Sequence, residues 1–118
     1  LVAQSAFLSA GQRCTAARRL IVHDDMADRF IDEVKGIAGR LIIDEPHATP
    51  APFMGPVIDN EAADSLTESF LELMSNGGKV IKHLARPVKG RPFLAPGIID
   101  VTGIKERPDA ELFGPVLQ

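Results

Sequence analysis

Phe7-Leu8-Ser9-Ala10-Gly11-Gln12-Arg13-Cys14-Thr15-Ala16-Ala17-Arg18 holds the only cysteine among 118 residues, and the change of pattern across it sets the reading of the fold. Before it, Ala3, Ala6, Phe7 and Ala10 recur at helical spacing, which predicts a helix over Leu1–Ala10 with one buried face. Gly11 suits a helix stop. Gln12 to Ala17 reads as a tight loop, and Leu20-Ile21-Val22 as a short apolar strand. Small residues around Cys14 leave its thiol uncovered, and Gly11 lets backbone N–H groups come close to whatever the sulfur attacks. A thiolate nucleophile needs that access, a lowered pKa and donors aimed at the oxyanion it creates. Arg13, Arg18 and Arg19 bring positive charge nearby, which favours a thiolate if one of them points inward. The preceding helix does not help, because its C-terminal end is the negative end of the dipole. On spacing alone, a buried structural cysteine is the reading to prefer.

Outward from that run, periodicity places two further helices. Met26, Phe30, Val34, Ile37 and Leu41 step by three and four after Asp24 or Asp25, either of which can cap. The opposite face, with Asp28, Asp32, Glu33, Lys35 and Arg40, reads as solvated surface. Ile43 to Pro56 holds four prolines and reads as a long connector. Asp59 or Asn60 caps a helix running to about Ser75, with Ala63, Leu66, Phe70, Leu73 and Met74 as its stripe and Asn76-Gly77-Gly78 as its end. Strands are predicted at Lys79–Lys82, Phe93-Leu94 and Ile98–Val101, with a basic turn over Arg86–Arg91. The alternation of strands and helices indicates an α/β class in one domain.

Composition narrows the function classes. The balance of 13 basic and 16 acidic residues gives a net charge of −3, which argues against nucleic acid as a partner. No apolar run approaches the ~18 residues of a membrane span, so no membrane partner is expected. One cysteine cannot form an internal disulfide, which fits a reducing cytoplasm. His23, His47 and His83 are too scattered to form a metal site with Cys14. The absence of an initiator Met and the opening on Leu1-Val2-Ala3 suggest a piece of a longer protein.

Glu111-Leu112-Phe113-Gly114-Pro115 follows the cysteine by about a hundred positions. Alone it reads as a turn with a core Phe. Together, the two motifs resemble the NAD(P)-dependent aldehyde dehydrogenase superfamily, and the resemblance reverses the bland reading of Cys14. It implies that Cys14 is the nucleophile. It also implies that Glu111 bonds the ribose of the nicotinamide half of the cofactor and that Phe113 packs near the nicotinamide ring. Those assignments are chemically reasonable, since a carboxylate can take two hydroxyls and an aromatic can hold a flat ring. Gly55-Pro56-Val57-Ile58-Asp59 matches the family as a connector and receives a structural role. Ala62-Ala63-Asp64-Ser65 lacks the Gln and Lys many relatives place there, so it receives no cofactor role.

Gln4-Ser5-Ala6-Phe7, Ala17-Arg18-Arg19-Leu20, Ala95-Pro96-Gly97-Ile98-Ile99-Asp100-Val101-Thr102-Gly103 and Pro108-Asp109-Ala110 bring the resemblance to the members that oxidise acidic semialdehydes. The implied fold is a partial catalytic domain over residues 1–118, a twisted and mostly parallel sheet flanked by helices. The implied cofactor is NAD, with NADP also open, and the full-length protein is implied to be a homo-oligomer. The resemblance puts the general-base glutamate, the oxyanion-hole asparagine, the dinucleotide-binding domain and the assembly elements outside this chain. The isolated chain is therefore expected not to oxidise aldehydes. Arg13 and Thr15 flank the nucleophile, and Arg13 is read either as a partner for a substrate carboxylate or as half of a structural salt bridge. The rival readings are another semialdehyde dehydrogenase, a Cys-dependent hydrolase or acyltransferase, and a non-catalytic assembly module.

Overall fold

The computed structural model describes residues 1–118. The chain forms three helices, α1 (Val2–Phe7), α2 (Asp24–Gly39) and α3 (Asn60–Ser75), and three strands, β1 (Lys79–Lys82), β2 (Gly97–Asp100) and β3 (Val116–Leu117). The strands lie in the order β1-β2-β3. This is an α/β arrangement, but the sheet is mixed rather than mostly parallel: β1 pairs with β2 antiparallel and β2 with β3 parallel. The antiparallel pair arises because the chain doubles back through residues 83–96, with an outlying antiparallel bridge between Ala85 and Ala95. Ile81 has no partner in the register between Val80 and Lys82, so β1 carries a bulge there.

The expected strand at Leu20-Ile21-Val22 is not formed as such. Its first residue nevertheless reaches the sheet: the Gln118 N–H donates to the Arg18 carbonyl at 2.9 Å and the Leu20 N–H to the Gln118 carbonyl at 2.8 Å. That is the slanted exchange of a parallel pair. Ile21 is 94% exposed. Phe93 and Leu94 are buried but not in a strand.

The core gathers where α3 packs on β2. Ala63, Leu66, Phe70 and Leu73 are buried at helical spacing, facing a sheet whose Ile98, Ile99, Val116 and Leu117 are also buried. Gly97 lies so close to α3 that a Cβ there would fall 2.8 Å from the Phe70 ring. Asp59 caps α3, its carboxylate accepting from the Ala62 N–H at 2.8 Å. At the other end Gly77 turns with φ +105 and the Gly78 N–H returns to the Leu73 carbonyl at 2.9 Å. For α2 the cap is His23, not Asp24 or Asp25: its Nδ1 accepts from the Asp25 N–H at 3.3 Å. The two aspartates occupy the first turn, where the helix dipole favours them. Only part of the α2 stripe is covered, since Val34 and Ala38 are buried while Met26 and Ile37 are exposed.

The basic turn is tied down by acids. Arg86 binds the Asp64 carboxylate, the Asn60 side chain and the Arg91 carbonyl, and Arg91 binds Glu45. No helix is long and apolar enough to cross a membrane.

Candidate active site

The helix that enters the cysteine run is shorter than its pattern suggests. α1 stops at Phe7, and Ser9, Ala10 and Gly11 follow with φ of 57, 54 and +66. Left-handed backbone is ordinary for Gly11 but costs roughly 1–2 kcal/mol for each non-glycine residue. The turn is held by burial of Ala10 and by two bonds to the Ser9 carbonyl, from the Gln12 N–H at 3.1 Å and from Gln12 Nε2 at 3.2 Å. Gln12 reaches further, donating to the Pro56 carbonyl at 3.4 Å and accepting from the Ile58 N–H at 2.9 Å. The Gly55–Asp59 connector leads into α3 and, beyond that expected role, braces the cysteine loop.

Cys14 and Thr15 sit at the tip of a turn closed by the Ala16 N–H on the Arg13 carbonyl at 3.0 Å. Both residues and Arg13 are exposed. Cys14 is a free thiol at the surface of this chain rather than part of its core. Neither its thiol nor its backbone N–H makes a hydrogen bond within the chain. The Arg13 guanidinium makes no ion pair, so the structural salt bridge considered for it is absent from this chain.

The two motifs meet at a pair of glycines. A Cβ on Gly11 would fall 2.3 Å from the Gly114 carbonyl oxygen, and one on Gly114 would fall 2.3 Å from the Leu66 side chain. Gly11 therefore lies on the Gly114 backbone, and Gly114 on the apolar face of α3. Arg18 fastens the contact. Its Nε donates to Glu111 Oε1 at 3.0 Å, Nη1 to the Gly11 carbonyl and to that of Gly114 at 3.3 Å, and Nη2 to the Arg13 carbonyl at 3.0 Å. The guanidinium carbon stands 5.0 Å from the centre of the Phe113 ring, within cation–π range. Beyond it, Arg19 pairs with Asp109 at 2.6 Å.

Arg13, Cys14, Thr15, Glu111 and Phe113 are thus carried by two segments in direct contact. From sequence, Gln12 receives no role and Arg18 is only a nearby charge, whereas Gln12 ties the cysteine loop to the Pro56–Ile58 connector and Arg18 ties it to the second motif. One signal was present: Arg18 has an opposite charge waiting in the second motif at Glu111. No histidine contacts Cys14. His23 is spent on the α2 cap and His83 packs against Phe70, ring centres 6.5 Å apart.

Among titrating groups, burial pushes the Lys82 ammonium down, and its Nζ donates to the Pro96 carbonyl at 2.9 Å. Asp100 is held below the usual carboxylate range by hydrogen bonds from Thr102, including that from the backbone N–H at 2.9 Å. Both residues belong to the sheet, Lys82 on β1 and Asp100 on β2.

This arrangement has close counterparts. N-succinylglutamate 5-semialdehyde dehydrogenase of Sphingopyxis alaskensis is 74% identical over 118 residues, covering 100% of this chain and 24% of that protein. The protein of the same name from Novosphingobium aromaticivorans is 63% identical, covering 100% and 25%. The chain thus spans about a quarter of the length of these curated relatives. Among solved structures, aldehyde dehydrogenase 21 from Physcomitrella patens, in complex with the reaction product succinate, superposes with a TM-score of 0.87 at 27% identity, over 98% of this chain and 24% of that one. The aldehyde dehydrogenase family model matches residues 1–118 from end to end, and the chain belongs to that family.

Proposed function

We propose that this chain is the cysteine-bearing part of a catalytic domain in an NAD(P)-dependent dehydrogenase that oxidises an acidic semialdehyde. The favoured substrate is N-succinylglutamate 5-semialdehyde, converted to N-succinylglutamate in arginine catabolism in the cytoplasm. The observation that carries the reading is the seating of Gly11 on Gly114, which brings an exposed, unpartnered Cys14 and the Glu111–Phe113 segment into one surface. The shared name of two curated relatives, 74% and 63% identical to this chain, supports the choice of substrate.

In this reading the Cys14 thiolate attacks the aldehyde carbon, and the carbonyl oxygen becomes the oxyanion of a thiohemiacetal. The unpaired Cys14 N–H is one donor for that oxyanion. The residues present fit a nicotinamide cofactor: Glu111 uses only Oε1 on Arg18, leaving Oε2 to accept from a ribose hydroxyl, and Phe113 is 48% exposed. When bound, NAD⁺ supplies the hydride acceptor. Loss of hydride leaves a thioester on Cys14, and water then releases the acid and restores the thiol. In sum, aldehyde, NAD⁺ and water give carboxylic acid, NADH and a proton. We assign Arg13 and Thr15, exposed on either side of Cys14, to the substrate's carboxylate end. Their support is the Arg13 guanidinium, which no acid of this chain occupies.

Cys14→Ser in the full-length protein should abolish aldehyde-dependent NADH formation, and retained turnover would overturn the reading. Arg13→Met should lower kcat/KM for the dicarboxylate aldehyde but not for a neutral one; equal losses would remove the Arg13 assignment. The isolated 118-residue chain should produce no NADH. Selective alkylation of Cys14 at neutral pH, faster than that of free cysteine, separates an activated site from a non-catalytic module. Light scattering on the full-length protein tests the homo-oligomer.

A further inference from the structure

We propose that Arg18 is a positioning residue that couples the Glu111 carboxylate to the nucleophile loop, so that neither is set without the other. The inference rests on the proposed roles of Cys14 and Glu111. Arg18 is the only side chain that touches both motifs by hydrogen bonds. On one side it holds the carbonyls of Gly11 and Arg13, the second of which begins the peptide that carries the Cys14 N–H. On the other it holds the Gly114 carbonyl and Glu111 Oε1, with its plane over Phe113. Its side chain is 14% exposed, against 52% for that of Glu111. The carboxylate is therefore the movable member and the guanidinium the fixed one.

The chemistry follows from how the donors are shared. A guanidinium presents its N–H groups in a rigid planar fork, so bonds made by one edge fix the direction of the others. With Oε1 tied to Nε, Glu111 is oriented by a group that is itself oriented by the loop of Cys14. A ribose hydroxyl bonded to Oε2 would strengthen the carboxylate–guanidinium arrangement and, through it, the placement of the Arg13 carbonyl. By linkage, whatever fixes the loop also improves the placement of the Glu111 carboxylate for the cofactor. A lysine could carry the charge to one of these acceptors but could not span them.

The test uses the full-length protein with Arg18→Lys, Arg18→Met, Glu111→Gln and the Arg18→Lys/Glu111→Gln pair. Three quantities are read: KM for NAD⁺, kcat, and the alkylation rate of Cys14 by iodoacetamide without cofactor. Arg18→Lys should leave the protein folded with a modestly lower melting temperature, raise the KM for NAD⁺ about tenfold, and slow Cys14 alkylation at least threefold. Glu111→Gln should raise the KM in the parent but add little in the Arg18→Lys background, because the carboxylate is already unplaced. Arg18→Met should show both defects more strongly. If the Arg18→Lys and Glu111→Gln effects on KM simply multiply, or if Arg18→Lys changes KM while alkylation stays within twofold of the parent, the coupling is overturned and the ribose assignment stands. If Glu111→Gln alone leaves the KM for NAD⁺ unchanged, the ribose assignment itself fails and takes the coupling with it.

Discussion

The seam between α3 and β2 and the turn that carries Cys14 are built on opposite terms. In the seam, Phe70, Leu73 and Ile99 are buried, Gly97 is pressed against an aromatic ring, and no polar side chain takes part. Around Cys14 the side chains at 13, 14 and 15 are exposed, two non-glycine residues stand at positive φ, and polar bonds from Gln12 and Arg18 hold the shape. The seam gains stability by excluding water. The turn gives up stability to keep a thiol and its backbone N–H groups open, and it borrows rigidity from the seam through Gly114 and Leu66.

If that contrast is right, removing side-chain bulk should have opposite signs in the two regions. Phe70→Ala should destabilise the chain by about 3–5 kcal/mol, read as a lower midpoint in urea; a loss below 1 kcal/mol would mean that the seam is not the main source of stability. Gly11→Ala comes next. Its Cβ would meet the Gly114 carbonyl at a left-handed φ, so a cost of roughly 2–4 kcal/mol is expected, with Cys14 alkylation altered more than the melting temperature suggests. Ser9→Gly should do the reverse, gaining about 0.5–1 kcal/mol, because relief of left-handed strain exceeds the added freedom of the unfolded chain. A loss at Ser9 would show that the turn is not strained at that residue.

The smallest effect concerns pH. Because the folded state holds Asp100 below its ordinary carboxylate range, its contribution is present above the unfolded pKa and is lost as pH falls through the folded value. The parent should therefore lose slightly more stability than Asp100→Asn between pH 5 and acid conditions below the ordinary carboxylate range, measured by urea midpoints. Identical acid slopes would assign the loss to other carboxylates.

How much of this was legible depended on which force made each feature. α3 was legible almost to the residue, because burial imposes a helical period and Asp59 is a common cap. The α2 stripe was legible too, but its cap was not, since an imidazole at His23 competes poorly with two following aspartates on propensity alone. The mixed sheet was missed because strand direction depends on how the chain returns, and nothing in Phe93-Leu94 distinguishes a buried strand from a buried loop. Cys14, Glu111 and Phe113 were singled out by motif, yet their contact was not. It rests on a backbone approach at two glycines and on an ion pair between Arg18 and Glu111, 93 positions apart, which no local pattern encodes.

The glycine seat also says where the chain can change length. Gly11 and Gly114 close a ring of about a hundred residues, and the entropy of closing so long a ring grows only with the logarithm of its length, so ten extra residues would cost about a tenth of a kcal/mol. Residues 105–110 are all exposed and outside any helix or strand. Variation in that stretch can remodel the rim of the site while its two halves stay in register, much as a buckle holds its place whatever the length of the strap.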